Sequence, residues 1–317
     1  NRKVILLANA LSTVFSVFIN TVLPIFIVIG AGFTAQRILK LNIATIARIG
    51  LYILSPCLAF SSLTHSNLSG GNAAGAVSVI LTVTAILIVV GTLTGKYLKL
   101  EAGQSSAFLL GILFTNAGNY GVPLMDLAFG RDSRDLAIVC FVTQQVLFNT
   151  LAVWLATRGK MTWKQGLRQL FKMPLTYAVS AAVFFMLTGL SVPGPVDTSV
   201  SLLGEAALPV ILLSLGLQLA ETRPVLADMP RIGLGVVYRL VLSPVLALLA
   251  VWLLAPVFGL HGLAAKVPIV AMSMPTAVTV VLLSIEFGAD SKFTASVVFV
   301  STLLSALSLT IILTLLI

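Results

Sequence analysis

Two asparagines, Asn116 and Asn119, stand in the run Thr115-Asn116-Ala117-Gly118-Asn119-Tyr120-Gly121-Val122-Pro123, inside an apolar stretch from about Ser105 to Gly130. Their amides can donate to and accept from a small polar ligand. The glycines and the proline around them are poor material for an unbroken helix. A second interruption, Met272-Ser273-Met274-Pro275-Thr276, adds the hydroxyls of Ser273 and Thr276. Half-helices starting near Val122 and Thr276 would aim free N–H groups and positive dipole ends at one point, which suits a carboxylate leaving water. Gly121, Val122, Pro123 and Pro275 form the backbone of these two expected breaks. Asn119 reads equally as a ligand or as a cap of the broken helix. Gln145 and Asn149 share a helix face and read either as site residues or as interhelical hydrogen-bonding groups. Neighbours on a helix point about 100° apart, so only one of Gln144 and Gln145 is expected to face the site.

Ionisable groups within apolar segments are few. Asp126 follows Pro123 closely and Glu286 lies near the end of a later segment. Both are candidates for proton coupling, because an intramembrane carboxylate must be protonated, paired or solvated. The competing readings are a waterside group for Asp126 and an ion pair with a basic residue for Glu286. Arg239 is a counter-charge for an anion or an acid, or else snorkels to the surface. His65 and His261 fall at segment ends without metal-ligand neighbours, and Cys57 and Cys140 lack metal-like spacing, so no metal site is expected. No phosphate-binding glycine loop with its lysine and no nucleophile–base–acid set is present, so neither a cofactor nor an enzymatic activity is expected.

The elements that must hold these residues follow from composition. Of 317 residues, 58% are hydrophobic and 9% charged, and mean hydropathy is +1.09, which makes this an all-α integral membrane protein. Ten spans are expected, at 11–36, 43–63, 72–97, 104–130, 134–157, 172–191, 199–220, 232–257, 262–288 and 293–316. The first ten residues either extend the first span or form an interfacial helix. Thirteen of the nineteen Lys and Arg lie after spans 1, 3, 5, 7 and 9. The positive-inside rule therefore puts both termini outside and the basic loop 158–172 in the cytoplasm of a cell-membrane protein. The net charge of +9 is explained by this topology, and no nucleic-acid partner is expected.

The chain also repeats. Pro24, Pro56 and Pro123 recur as Pro174, Pro209 and Pro275 at nearly constant spacing, and Phe129-Gly130-Arg131-Asp132-Ser133 is echoed by Phe287-Gly288-Ala289-Asp290-Ser291. The expected organisation is a five-helix repeat over 1–157, the short loop 158–172, and a second repeat over 173–317. Five is odd, so the second repeat is inverted. Inverted repeats with interrupted helices at matching positions are the pattern of secondary transporters.

Asn116-Ala117-Gly118-Asn119-Tyr120-Gly121-Val122-Pro123-Leu124 resembles the fourth-span motif of the auxin efflux carrier family, which includes plant PIN carriers and bacterial malate and malonate carriers. The run from Met274-Pro275 through Ile285-Glu286-Phe287-Gly288 is similar to its ninth-span motif. The resemblance implies a fold like the bile-acid symporters and sodium/proton antiporters. Spans 1, 2, 6 and 7 would be the scaffold, and 3–5 and 8–10 an elevator-like transport domain. Spans 4 and 9 would cross at Pro123 and Pro275, with Asn116 touching the substrate. It also implies organic-anion substrates and, by analogy of fold, a homodimer through the scaffold. The short loop 158–172 differs from the long segment of many plant members and matches a bacterial-type carrier.

The expected function is secondary transport of a small organic anion, a carboxylate, with membrane lipids as the surroundings. An intramembrane ligand sensor or enzyme using the same pocket, or a channel, is the alternative.

Overall fold

The computed structural model describes residues 11–66, 70–156, 171–225 and 228–317. The first ten residues and nearly all of the basic loop expected at 158–172 lie outside them. Among the described residues all regular structure is helical, and seven helices are long and apolar enough to cross a membrane. These are α1 (Leu11–Leu39), α2 (Ile43–Thr64), α3 (Gly70–Tyr97), α6 (Arg131–Ala152), α8 (Gly194–Glu221), α9 (Met229–Phe258) and α12 (Ser291–Leu316). Between them lie the fifteen-residue α7 (Pro174–Thr188) and two interrupted passes. One pass is α4 (Ala102–Leu113) and α5 (Val122–Phe129); the other is α10 (Leu263–Ser273) and α11 (Thr279–Glu286).

Proline shapes the long helices through wide turns. Phe18–Val22, Gly50–Leu54 and Tyr238–Leu242 are π-helical, and Pro24, Pro56 and Pro244 follow directly at the start of the resumed α-helix. A proline ring clashes with the carbonyl one turn back and cannot donate to it; inserting one residue moves that carbonyl aside, so the helix bends but does not end. Pro209 has no such turn and sits inside α8, whereas Pro174 begins α7. The paired prolines of the two halves thus occupy different local geometries.

The helices form two packed groups. α1 runs against α8 so closely that a Cβ on Gly216 would lie 2.0 Å from the Ile29 carbonyl oxygen, and one on Gly32 2.2 Å from that of Leu213. Only glycine permits this backbone contact. α2 packs on α7 and α8 to complete this group. In the second group α3 lies against α4, α6, α9 and α10, with α12 behind α4, α9 and α10. The groups meet where α1 and α8 touch the first interruption, as in the edge-on contact of the Phe26 ring with that of Tyr120 at 6.1 Å.

Candidate functional site

The two interruptions pair with each other. Thr115 and Thr276 form an isolated antiparallel bridge: the Asn116 N–H donates to the Pro275 carbonyl at 2.8 Å and the Ala277 N–H to the Phe114 carbonyl at 3.0 Å. The backbone crosses at Thr115 and Thr276, not at the expected Pro123 and Pro275. Pro123 is already in the first turn of α5, reached through the π-turn Ala117–Gly121, while Pro275 lies in the extended segment itself. Gly121 packs beneath the crossing, where an added Cβ would meet the Met274 side chain at 3.2 Å, and Val122 is buried behind it. The second half-helix begins at Thr279 rather than near Thr276, because Ala277 and Val278 form a turn before it.

Helix breaks in an apolar interior leave carbonyls that need donors. Here the Thr276 hydroxyl donates to the Gly111 carbonyl at 2.7 Å, and the Asn116 carbonyl accepts from the N–H groups of Tyr120 and Gly121. Arg239, wholly buried in α9, donates from Nη1 to the Ile112 carbonyl at 2.7 Å and to the Leu113 carbonyl at 3.4 Å. Its Nη2 donates to the Met272 carbonyl and to Ser243 Oγ. The guanidinium therefore does not snorkel, and among the described residues it meets no acid; it holds the carbonyl ends of α4 and α10 together.

A cavity of about 210 Å³ opens beside the crossing. The first interruption, the second half of α6, residues 47–55 of α2, residues 211–218 of α8 and the start of α11 form its walls. None of the described side chains that line it is charged. Six are amides (Asn116, Asn119, Gln144, Gln145, Asn149 and Gln218), and Phe114, Phe141 and Phe148 close the apolar side. Asn116 is 4% exposed and its Nδ2 has no partner; Gln144 is 5% exposed, donates from Nε2 to Met272 Sδ at 3.3 Å, and has a free Oε1. A buried amide without a partner loses its water for nothing unless a ligand replaces it. Asn149 donates Nδ2 to the Gln145 carbonyl at 2.8 Å, leaving its oxygen for a ligand. Asn119 lies within the π-turn, whose capping position is held by Asn116, and it borders the cavity.

Other expected site residues lie elsewhere. The Ser273 hydroxyl donates back to the Ile269 carbonyl, and that of Thr276 to Gly111, so neither is on the cavity wall. Asp126 is not waterside in the cavity: it takes a two-pronged pair from Arg134, with both N···O distances 2.9 Å. Glu286 is exposed at the last turn of α11, and no ion pair to it is found among the described residues. Both glutamines of α6 border the cavity, against the expectation of one, and Gln144 meets α10 through Met272 as well. Gln218 and Ser214, joined at 3.1 Å, were legible only as a polar pair four residues apart in an apolar span.

A second vestibule of about 790 Å³, with charged side chains in its lining, lies at the other ends of the same helices. α2 contributes Leu58–His65, α6 Arg131–Leu136 and α8 Ser201–Glu205. There Arg131 of the second group donates to Glu205 of the first at 2.9 Å, and His65 pairs with Asp197 at 3.3 Å. No cluster able to hold a metal ion is found among the described residues.

A family model described as "Membrane transport protein" matches the chain over residues 17–162 and again over 158–313. An uncharacterized transporter of Methanothermobacter thermautotrophicus is 28% identical over 302 residues, which are 92% of this chain and 95% of that protein. An uncharacterized transporter of Methanocaldococcus jannaschii is 26% identical over 299 residues, 91% of this chain and 95% of its own.

Proposed function

The chain belongs to the membrane transport protein family, that of the PIN-like auxin efflux carriers, and on that premise we propose that it is a secondary carrier of a small organic anion, a carboxylate. The observation that carries the reading is the unpartnered Asn116 Nδ2, held in an amide-lined cavity, without charged side chains among the described residues, by the pairing of two interrupted helices. The carboxylate takes Asn116 Nδ2 and the positive starts of the π-turn Ala117–Gly121, which runs on into α5, and of α11 in place of water, while Phe114, Phe141 and Phe148 cover its carbon skeleton.

Seven long helices, α7 and two interrupted passes add up to ten crossings in two inverted halves, with α4–α6 related to α10–α12. In the transport cycle α3–α6 and α9–α12 slide as one body past the scaffold of α1, α2, α7 and α8. The cavity continues through Ala47, Leu51, Gln218 and Thr279 into a cleft bordered by Arg48, Arg223 and Lys292. By the positive-inside rule that is the cytoplasmic side. Asp126 and Glu286 take no part in coupling in this reading, since neither borders the cavity.

The test is a thermal-shift screen of purified protein against malonate, malate, succinate and indole-3-acetate, with neutral amino acids as controls, followed by counterflow in proteoliposomes. A carboxylate that stabilises the wild type but not Asn116→Ala, and exchanges across the membrane, is the expected result. Stabilisation without counterflow would support a sensor instead. Equal stabilisation of the mutant would remove the site.

A further inference from the structure

We propose that Arg239 sets the charge preference of the crossover: its buried guanidinium cancels the carbonyl ends of both interrupted helices, leaving their amide ends as a net positive site. The inference rests on the carrier reading above and assigns a selectivity role to a residue that does not itself line the cavity. An interrupted pass contributes two helix ends at the break, roughly half a negative charge where α4 or α10 stops and half a positive charge where the π-turn leading into α5, or α11, starts. Two such passes crossing at Thr115 and Thr276 bring four half-charges together, and alone they sum to about zero. Such a site has no preference between an anion, a cation and a neutral solute.

Arg239 changes that sum. Both of its terminal nitrogens donate to carbonyls at the ends of α4 and α10, those of Ile112, Leu113 and Met272. Ser243, its other partner, also donates to the Met272 carbonyl at 2.7 Å. No carboxylate pairs with it among the described residues, and its Nε is free. The cation is 0% exposed, so it is screened far less than a surface charge. It is bonded to the peptides that lead into Phe114 and does not itself line the cavity. What remains uncompensated on the cavity side is one unit of positive charge, divided between the start of the π-turn that leads into α5 and the start of α11. The free Nδ2 donor of Asn116 is the independent sign that a ligand accepting hydrogen bonds belongs there.

A unit charge acting over ~10 Å at an effective dielectric constant of ~20 changes anion affinity by about 10- to 30-fold. The experiment measures binding of matched pairs, malonate with malonamide and succinate with succinamide, to purified full-length protein and its variants. Wild type and Arg239→Lys should bind the dicarboxylate better than its diamide. Arg239→Gln should lose about 10-fold or more of that ratio, with diamide binding unchanged or improved. Ser243→Asp places a carboxylate against the same guanidinium and keeps it bonded; it should lose the ratio as Arg239→Gln does, which covers the case in which Arg239→Gln does not fold. Ser243→Ala should keep it.

A purely structural role predicts equal loss for acid and diamide, so an unchanged ratio in both Arg239→Gln and Ser243→Asp, or in Ser243→Asp alone if the other does not fold, would overturn the inference and leave the carrier reading standing. A wild type that binds no carboxylate, or prefers the diamides, would overturn both.

Discussion

Asn116 carries two jobs on different atoms. Its backbone N–H and carbonyl build the crossing, and its side-chain Nδ2 has no partner. Truncation therefore removes no internal side-chain hydrogen bond from Nδ2, and removing an unsatisfied buried donor costs little. Purified Asn116→Ala should melt within about 1 kcal/mol of wild type without ligand, while losing ligand-induced stabilisation; a large loss of stability in the ligand-free protein would contradict this division of labour. Asp126 behaves in the opposite way. Its bidentate pair with Arg134 is mostly shielded, with side-chain exposures of 19% and 14%. Asp126→Asn should destabilise by about 2 kcal/mol because Arg134 keeps its charge without a partner, and the double variant with Arg134→Gln should recover part of that loss. Neither should move the pH dependence of uptake, and a shifted pH profile in Asp126→Asn would restore Asp126 as a coupling group.

At the scale of elements, small residues decide where helices meet. Gly216 and Gly32 let the backbones of α1 and α8 touch, and a methyl group on Gly216 would sit 2.0 Å from a main-chain oxygen that cannot move alone. Gly216→Ala should cost about 3 kcal/mol or more by forcing the two helices apart, read as a fall in melting temperature in detergent; an unchanged melting temperature would mean the contact is looser than described. Gly118 meets a different neighbour. Its added Cβ would fall 2.4 Å from the Phe141 ring, a side chain that can swing away, but only by changing the cavity wall. Gly118→Ala should therefore weaken ligand binding more than it weakens the fold, which parallel melting and binding curves would separate.

At the scale of the whole molecule, the cavity and the vestibule draw on opposite halves of α2, α6 and α8, and the Arg131–Glu205 pair joins the two helix groups at the vestibule end. That pair is exposed and contributes little by itself. Its value is as a marker of relative position. With Cys57 and Cys140 replaced by alanine, a bis-maleimide linking Arg131→Cys to Glu205→Cys should leave carboxylate binding intact and stop counterflow. Continued exchange in the linked protein would rule out sliding of the two groups.

The sequence by itself determined that this is a helical membrane protein, that the helix breaks around Asn116 and again around Pro275, and that Asn116, Asn119, Gln145 and Asn149 are candidates to share one site. Those properties are local: hydropathy sets the spans, and glycine and proline act on their own turn. Where the breaks cross was decided by tertiary structure, because pairing Thr115 with Thr276 depends on how α4 and α10 end in space, and matched prolines are an unreliable guide to that. The same holds for Arg239 and Asp126. Their types said only that a buried charge needs company; the carbonyls of Ile112 and Met272, brought together from distant parts of the chain, and Arg134 on the next helix supply it. Gln218 joined the cavity for the same reason, since which polar residue of an apolar helix faces a site is set by the helix packed opposite it.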